Sequence, residues 1–171
     1  KSYYTWYKKG KVHKKGESAD YKSLPLPLLY LKEMFFSLMW VWQSQVSTGT
    51  WDVYIGMDGL CVLFGNLLRK LGKVRKTIYW AIDFVPASRF PSGIANKIYH
   101  TINTHGYRNS DEMWDLSPRM AEARMHFLGM KKTDYKMIQV VQYGMWVNRI
   151  KKYSYADCEK NTLVFMGHLK E

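Results

Sequence analysis

Between Trp51 and Pro86 the chain reads WDVYIGMDGLCVLFGNLLRKLGKVRKTIYWAIDFVP, two apolar runs separated by one helical pattern. The first run, Trp51 to Met57, is short and partly β-branched, which suits a strand. Asp58 and Gly59 then supply a cap residue and a turn. Leu60, Leu63, Phe64, Leu67, Leu68 and Leu71 recur at helical spacing and predict one apolar face. Arg69 and Lys70 fall in the last turn, where the carbonyl end of the helix dipole favours cations, and Gly72 is placed to end the helix. Thr77 to Phe84 is the second run, too continuous to alternate, as expected of a strand covered on both faces. Strands joined by one helix pair in parallel through a right-handed crossover. The chain is therefore expected to build an α/β fold on a mainly parallel sheet.

In such sheets ligands meet the loops at the carboxyl ends of the strands. Here those loops are Met57-Asp58-Gly59 and Asp83-Phe84-Val85-Pro86, and each carries a carboxylate. Asp58 reads first as a helix N-cap, with a ligand-site role as its functional alternative. Asp83 has no helix directly behind it, so capping does not account for it. A site role and a loop-fixing hydrogen bond both remain open for Asp83.

A chain of 171 residues can bury one sizeable core, and its 47% hydrophobic content is that of a globular domain. The net charge of +12 points to an anionic partner: nucleic acid, an acidic membrane surface or a phosphate-bearing small molecule. No helix-turn-helix, zinc-finger or ribonucleoprotein signature accompanies that charge, which weighs against nucleic acid. Cys61 and Cys158 have neither metal-ligand spacing nor a disulfide framework, so a reducing compartment is expected. The chain starts at Lys1 without a signal-peptide pattern, and a fragment of a longer protein is the expectation.

Ser2 to Tyr7 is compatible with a strand, and KKGKVHKKGESADYK after it reads as a basic surface loop able to meet acidic lipid headgroups. His13 has no ligand-spaced partner and is taken as a surface residue. Leu24 to Gln45 opens on Pro25 and Pro27 and predicts a broadly apolar helix, with Lys32, Glu33, Ser37, Gln43 and Ser44 toward one side. Its uncharged run falls short of the ~20 residues that span a bilayer. Packing on the sheet is the expected fate of this helix, with insertion into one leaflet as the alternative.

Further on, Ser92 is placed to cap a helix with Ile94, Ala95, Ile98, Tyr99 and Ile102 as its apolar stripe and Gly106 as its end. His100 and His105 are five apart, which is not a shared-face metal pair. Glu112 to Leu116 predicts a strand, Ser117-Pro118 the start of a helix from Arg119 to Leu128, and Gly129 its close. Arg119 lies in the first turn, where the dipole disfavours a cation unless an anion is near, so it is a candidate anion-binding residue. Lys136 to Gln142 and Asn161 to Met166 predict further strands.

Three segments, TIYWAIDFVP, WDLSPRMAEARMHFLG with VVQYGMW, and NTLVFMGHLKE, resemble in order and spacing the retaining "group 1" glycosyltransferases of GT-B architecture. The resemblance implies that residues 1–150 form the acceptor-side, Rossmann-like three-layer domain, lacking its first strand. It implies a linker over 151–160, and the first strand and glycine loop of a truncated donor domain over 161–171. It further implies sugar transfer from a nucleotide diphosphate donor to an acceptor. The basic charge and the apolar helix fit a cytoplasmic enzyme, peripheral at the inner face of the membrane, that works on lipid-linked or cell-envelope acceptors, though the same charge would serve a soluble one. Asp83 is then the catalytic candidate, with Asp58, Arg89 and Arg119 on the acceptor side and Gly167 and His168 on the donor side. The family often has His or His-Asp where Ile82-Asp83 stand, and Gly-Arg where Gly167-His168 stand. No D-x-D motif is present, so neither a catalytic metal nor a cofactor is expected. The alternative is a non-catalytic basic module that binds nucleic acid or an anionic membrane.

Overall fold

The computed structural model describes residues 3–18, 26–86, 88–142, 144, 154–157 and 160. Its elements run in the order β1 (Tyr3–Lys8), β2 (Lys11–Glu17), α1 (Leu26–Thr48), β3 (Trp51–Gly56), α2 (Gly59–Lys70), β4 (Val74–Ala81), α3 (Gly93–Asn109), β5 (Glu112–Asp115), α4 (Pro118–Leu128) and β6 (Ile138–Val140). β3, β4, β5 and β6 lie side by side in that order, every neighbouring pair parallel. The result is an α/β, Rossmann-like arrangement. Within it α2 packs on β3, β4 and α3, and α4 lies against β5. The predicted strand Asn161 to Met166 lies outside the described residues.

The expected strand-helix-strand unit forms, with its second strand starting and ending three residues earlier than the sequence suggested. The helix faces differ more. On α2 the buried residues are Gly59, Val62, Phe64, Gly65, Asn66 and Leu68, while Leu67 and Leu71 of the expected stripe are exposed. Small residues decide this: a Cβ on Gly65 would lie 2.4 Å from the Tyr54 ring, so the helix settles on the sheet through its glycine face. α3 behaves alike. Gly106 does not end it but lies within it against Tyr79, and Asn103 and Tyr107 share that buried face, leaving Ile94 and Ile98 exposed. The core formed by Val62, Tyr79, Ala81, Tyr107, Met113, Met130 and Tyr135 thus fills one side of the sheet.

KKGKVHKKGESADYK is not simply a loop, because its Lys11–Glu17 portion is β2, paired antiparallel with β1 around Lys9-Gly10. Both turn residues have positive φ, 51° and 75°, the two-residue turn whose twist matches a hairpin. His13 packs edge-on against Trp6. The hairpin leans on α1, where the Tyr4 ring meets Trp40 at 4.6 Å and the Ser18 hydroxyl donates to Glu33. α1 itself leaves Leu28, Leu31, Phe35 and Trp42 exposed, so an apolar stripe faces outward instead of packing on the sheet.

Asp111, just before β5, ties the amino end of that strand to the middle of β4. Its carboxylate accepts from the Thr77 amide at 2.9 Å and Lys136 Nζ at 3.0 Å, and pairs with Arg69 near the end of α2. Burial opposes the charge, but these donors outweigh it and hold the carboxyl down at about 2, against 3.8 ordinarily. A folded-state value below the unfolded one stabilises the fold at pH above about 4, and that contribution disappears as pH falls toward 2. Asp111→Asn is therefore expected to lower the urea midpoint at pH 7 and to flatten the loss of stability between pH 4 and 2. Unfolding curves across that range, read by circular dichroism, check both.

Candidate functional site

Asp58 and Asp83 follow the carboxyl ends of β3 and β4, which are hydrogen-bonded neighbours, so the sheet brings both loops to one edge. Asp58 is used locally. Its carboxylate accepts from the Cys61 amide at 2.8 Å and from the Cys61 thiol at 3.3 Å, which makes it the N-cap of α2. Although Cys61 is exposed at its surface, partial desolvation and the Asp58 charge beside it push the thiol up to about 12, which suits its role as a neutral donor to the cap.

Asp83 is more open. Its side chain is 55% exposed and pairs at 3.0 Å with Arg89, whose same nitrogen donates to the Tyr99 hydroxyl at 3.1 Å. The guanidinium also lies over the Tyr99 ring, 5.2 Å from its centre. Asn96 fixes the loop that carries Arg89, because its Oδ1 accepts from the Arg89 and Phe90 amides while its Nδ2 donates to the Phe90 and Ser92 carbonyls. An Asp83–Arg89–Tyr99 cluster results, held against the first turns of α3 and open to solvent. A carboxylate, a guanidinium and a phenol within hydrogen-bond reach can grip a polyhydroxyl ligand or an anionic one.

Arg119 is exposed in the first turn of α4, with its amide donating to Ser117 Oγ, and it forms no ion pair among the described residues. It follows β5, one strand beyond β4, at the same edge of the sheet. Four of the expected residues, Asp58, Asp83, Arg89 and Arg119, thus belong to loops or helix starts along one edge. Gly167 and His168 lie outside the described residues. Among the described residues no group of His, Cys, Asp and Glu is placed to hold a metal ion.

Tyr99 belongs to the apolar stripe that the sequence predicts, yet its hydroxyl completes the cluster. Asn103, one turn on, was not singled out, although an amide among apolar positions was the visible signal. Asn103 accepts from the buried Tyr79 hydroxyl and donates to the Tyr99 carbonyl at 2.8 Å, binding α3 to β4 beneath the cluster. Burial pushes the Tyr79 phenol far up, so it stays a neutral donor.

Sequence reasoning also missed a buried ion pair. Asp115, the last residue of β5, meets Arg124 of α4, and neither side chain has any exposed surface. Arg124 Nε donates to the Tyr135 hydroxyl at 2.9 Å, and its guanidinium stacks 4.7 Å over Tyr107. Burial pushes the Asp115 carboxyl above its ordinary value despite the guanidinium beside it. No protein-family model matches the chain, and no curated protein matches it.

Removing one partner of such a pair strands a charge in the core, at a cost of about 3–5 kcal/mol. Arg124→Met should therefore lower the thermal midpoint sharply, and Asp115→Asn added to it should recover part of the loss. Calorimetry of the two variants beside the parent chain measures this coupling.

Proposed function

We propose that this chain supplies the acceptor side of a retaining sugar transferase that draws on a nucleotide diphosphate donor. The three-layer architecture and the donor domain beginning near Asn161 belong to the same proposal. The observation that carries it is the Asp83–Arg89–Tyr99 cluster at the carboxyl edge of a parallel sheet, where ligand contacts of such folds gather. The sequence resemblance supports the same edge, since its acceptor loop corresponds to Ile82-Asp83. In this reading Asp83 accepts the proton of an acceptor hydroxyl, Arg89 and Tyr99 orient the acceptor, and Arg119 attracts its anionic part. The Asp58 cap holds the neighbouring loop in place.

The test uses the full-length protein with a panel of nucleotide diphosphate sugars, following product formation and the anomeric configuration of the product by NMR. Asp83→Asn is expected to lower kcat about a hundredfold, the usual scale for loss of a general base. Its thermal midpoint should hardly move, because an exposed ion pair contributes about 0–1 kcal/mol. Arg89→Gln should raise KM more than it lowers kcat. An Asp83→Asn variant that is fully active but less stable would reduce the cluster to a loop anchor. Product of inverted configuration would remove the retaining assignment.

A further inference from the structure

The β1–β2 hairpin concentrates charge and exposed aromatic surface on one small element. Residues 3–18 hold five lysines, Lys8, Lys9, Lys11, Lys14 and Lys15, and one acidic residue, Glu17. None of these lysines is in an ion pair among the described residues, although elsewhere Arg69, Lys76, Arg89, Arg124 and Lys136 each find a carboxylate. Three of the five surround the turn at Lys9-Gly10. Directly behind it Tyr7 and Val12 face each other across the strands, 61% and 48% exposed. Residues opposite one another in an antiparallel pair share a face, so an apolar pair backs a cationic tip.

The exposed stripe of α1 is not part of this surface. Trp40 and Glu33, which meet the hairpin, lie across the helix from Leu28, Leu31, Phe35 and Trp42 at 100° per residue. One flat partner therefore meets the hairpin or the stripe. The hairpin carries the charge that selects a partner.

We propose that the β1–β2 hairpin docks on an anionic lipid surface, with Lys8, Lys9 and Lys11 among the phosphates and Tyr7 and Val12 at the level of the headgroups. Lysine clusters attract acidic leaflets and tyrosine favours the interfacial zone, so both halves of the tip are satisfied together. A nucleic acid would satisfy the lysines but leave Val12 without a partner. The assignment is independent of sugar transfer, because its readout is binding alone.

The test is co-sedimentation of the chain with vesicles of phosphatidylcholine, alone or mixed with phosphatidylglycerol. Binding is expected only with the mixed vesicles, and it should weaken as salt is added. Each lysine is worth about fivefold, so Lys8→Gln, Lys9→Asn and Lys11→Gln together should weaken binding on the order of a hundredfold. The same positions changed to Arg should retain binding, and Tyr7→Ser should weaken it while the thermal midpoint is unchanged. Equal binding to both vesicle types, undiminished binding by the triple variant, or tighter binding to single-stranded DNA than to mixed vesicles would each overturn the proposal. So would binding that is lost in Phe35→Ser but kept in the hairpin variants.

Discussion

A carboxylate and a guanidinium sealed from water at the end of β5 set terms that the surrounding elements must meet. Desolvating both charges costs several kcal/mol each, and only close, well-oriented contact offsets it. Asp115 therefore has to stand where Arg124 of α4 reaches it, and Tyr135 has to present its hydroxyl to Arg124 Nε. Tyr107 of α3 must lie under the guanidinium, and Tyr79 of β4 stacks in turn on Tyr107 at 5.1 Å. From Tyr79 the chain of contacts continues through Asn103 to the backbone of Tyr99. The solvent-facing cluster around Asp83 thus stands on a line of buried contacts that begins two elements away.

Acidic side chains in this fold are mostly committed to internal work. Asp111 holds Thr77, Arg69 and Lys136, and Glu112 holds Lys76 and the Trp114 indole. Among the described residues, the five lysines of the β1–β2 hairpin are in no ion pair, so part of the excess positive charge gathers there. The charge balance of the chain therefore says little about the sheet and a good deal about its periphery.

What sequence revealed was whatever local chemistry decides. Ser92, Asp58 and Ser117 cap their helices as expected, because an N-cap needs only a short polar side chain at the right step. Gly129 closes α4 for an equally local reason. Which side of a helix is buried is not local. Leu67 of α2 and Ile94 and Ile98 of α3 stay exposed, while Gly65, Gly106 and Asn103 define the buried faces through neighbours far along the chain. The same holds at the site. Asp83 was visible from its place after a strand, whereas its pairing with Arg89 depends on Asn96 holding the intervening loop. β2 escaped because its lysines mask a strand whose main support is β1.

The glycines packed against bulky side chains carry a consequence for how this sequence can diverge. A Cβ at position 106 would lie 3.0 Å from the Tyr79 ring, and one at position 56 would lie 2.6 Å from a Val62 methyl. Neither member of such a pair can grow alone, so a lineage that acquires alanine at one must shrink or shift its neighbour. Relatives of this chain should show those positions changing jointly, while Ile94, Ile98, Leu67 and Leu71 on the outward helix faces drift one at a time.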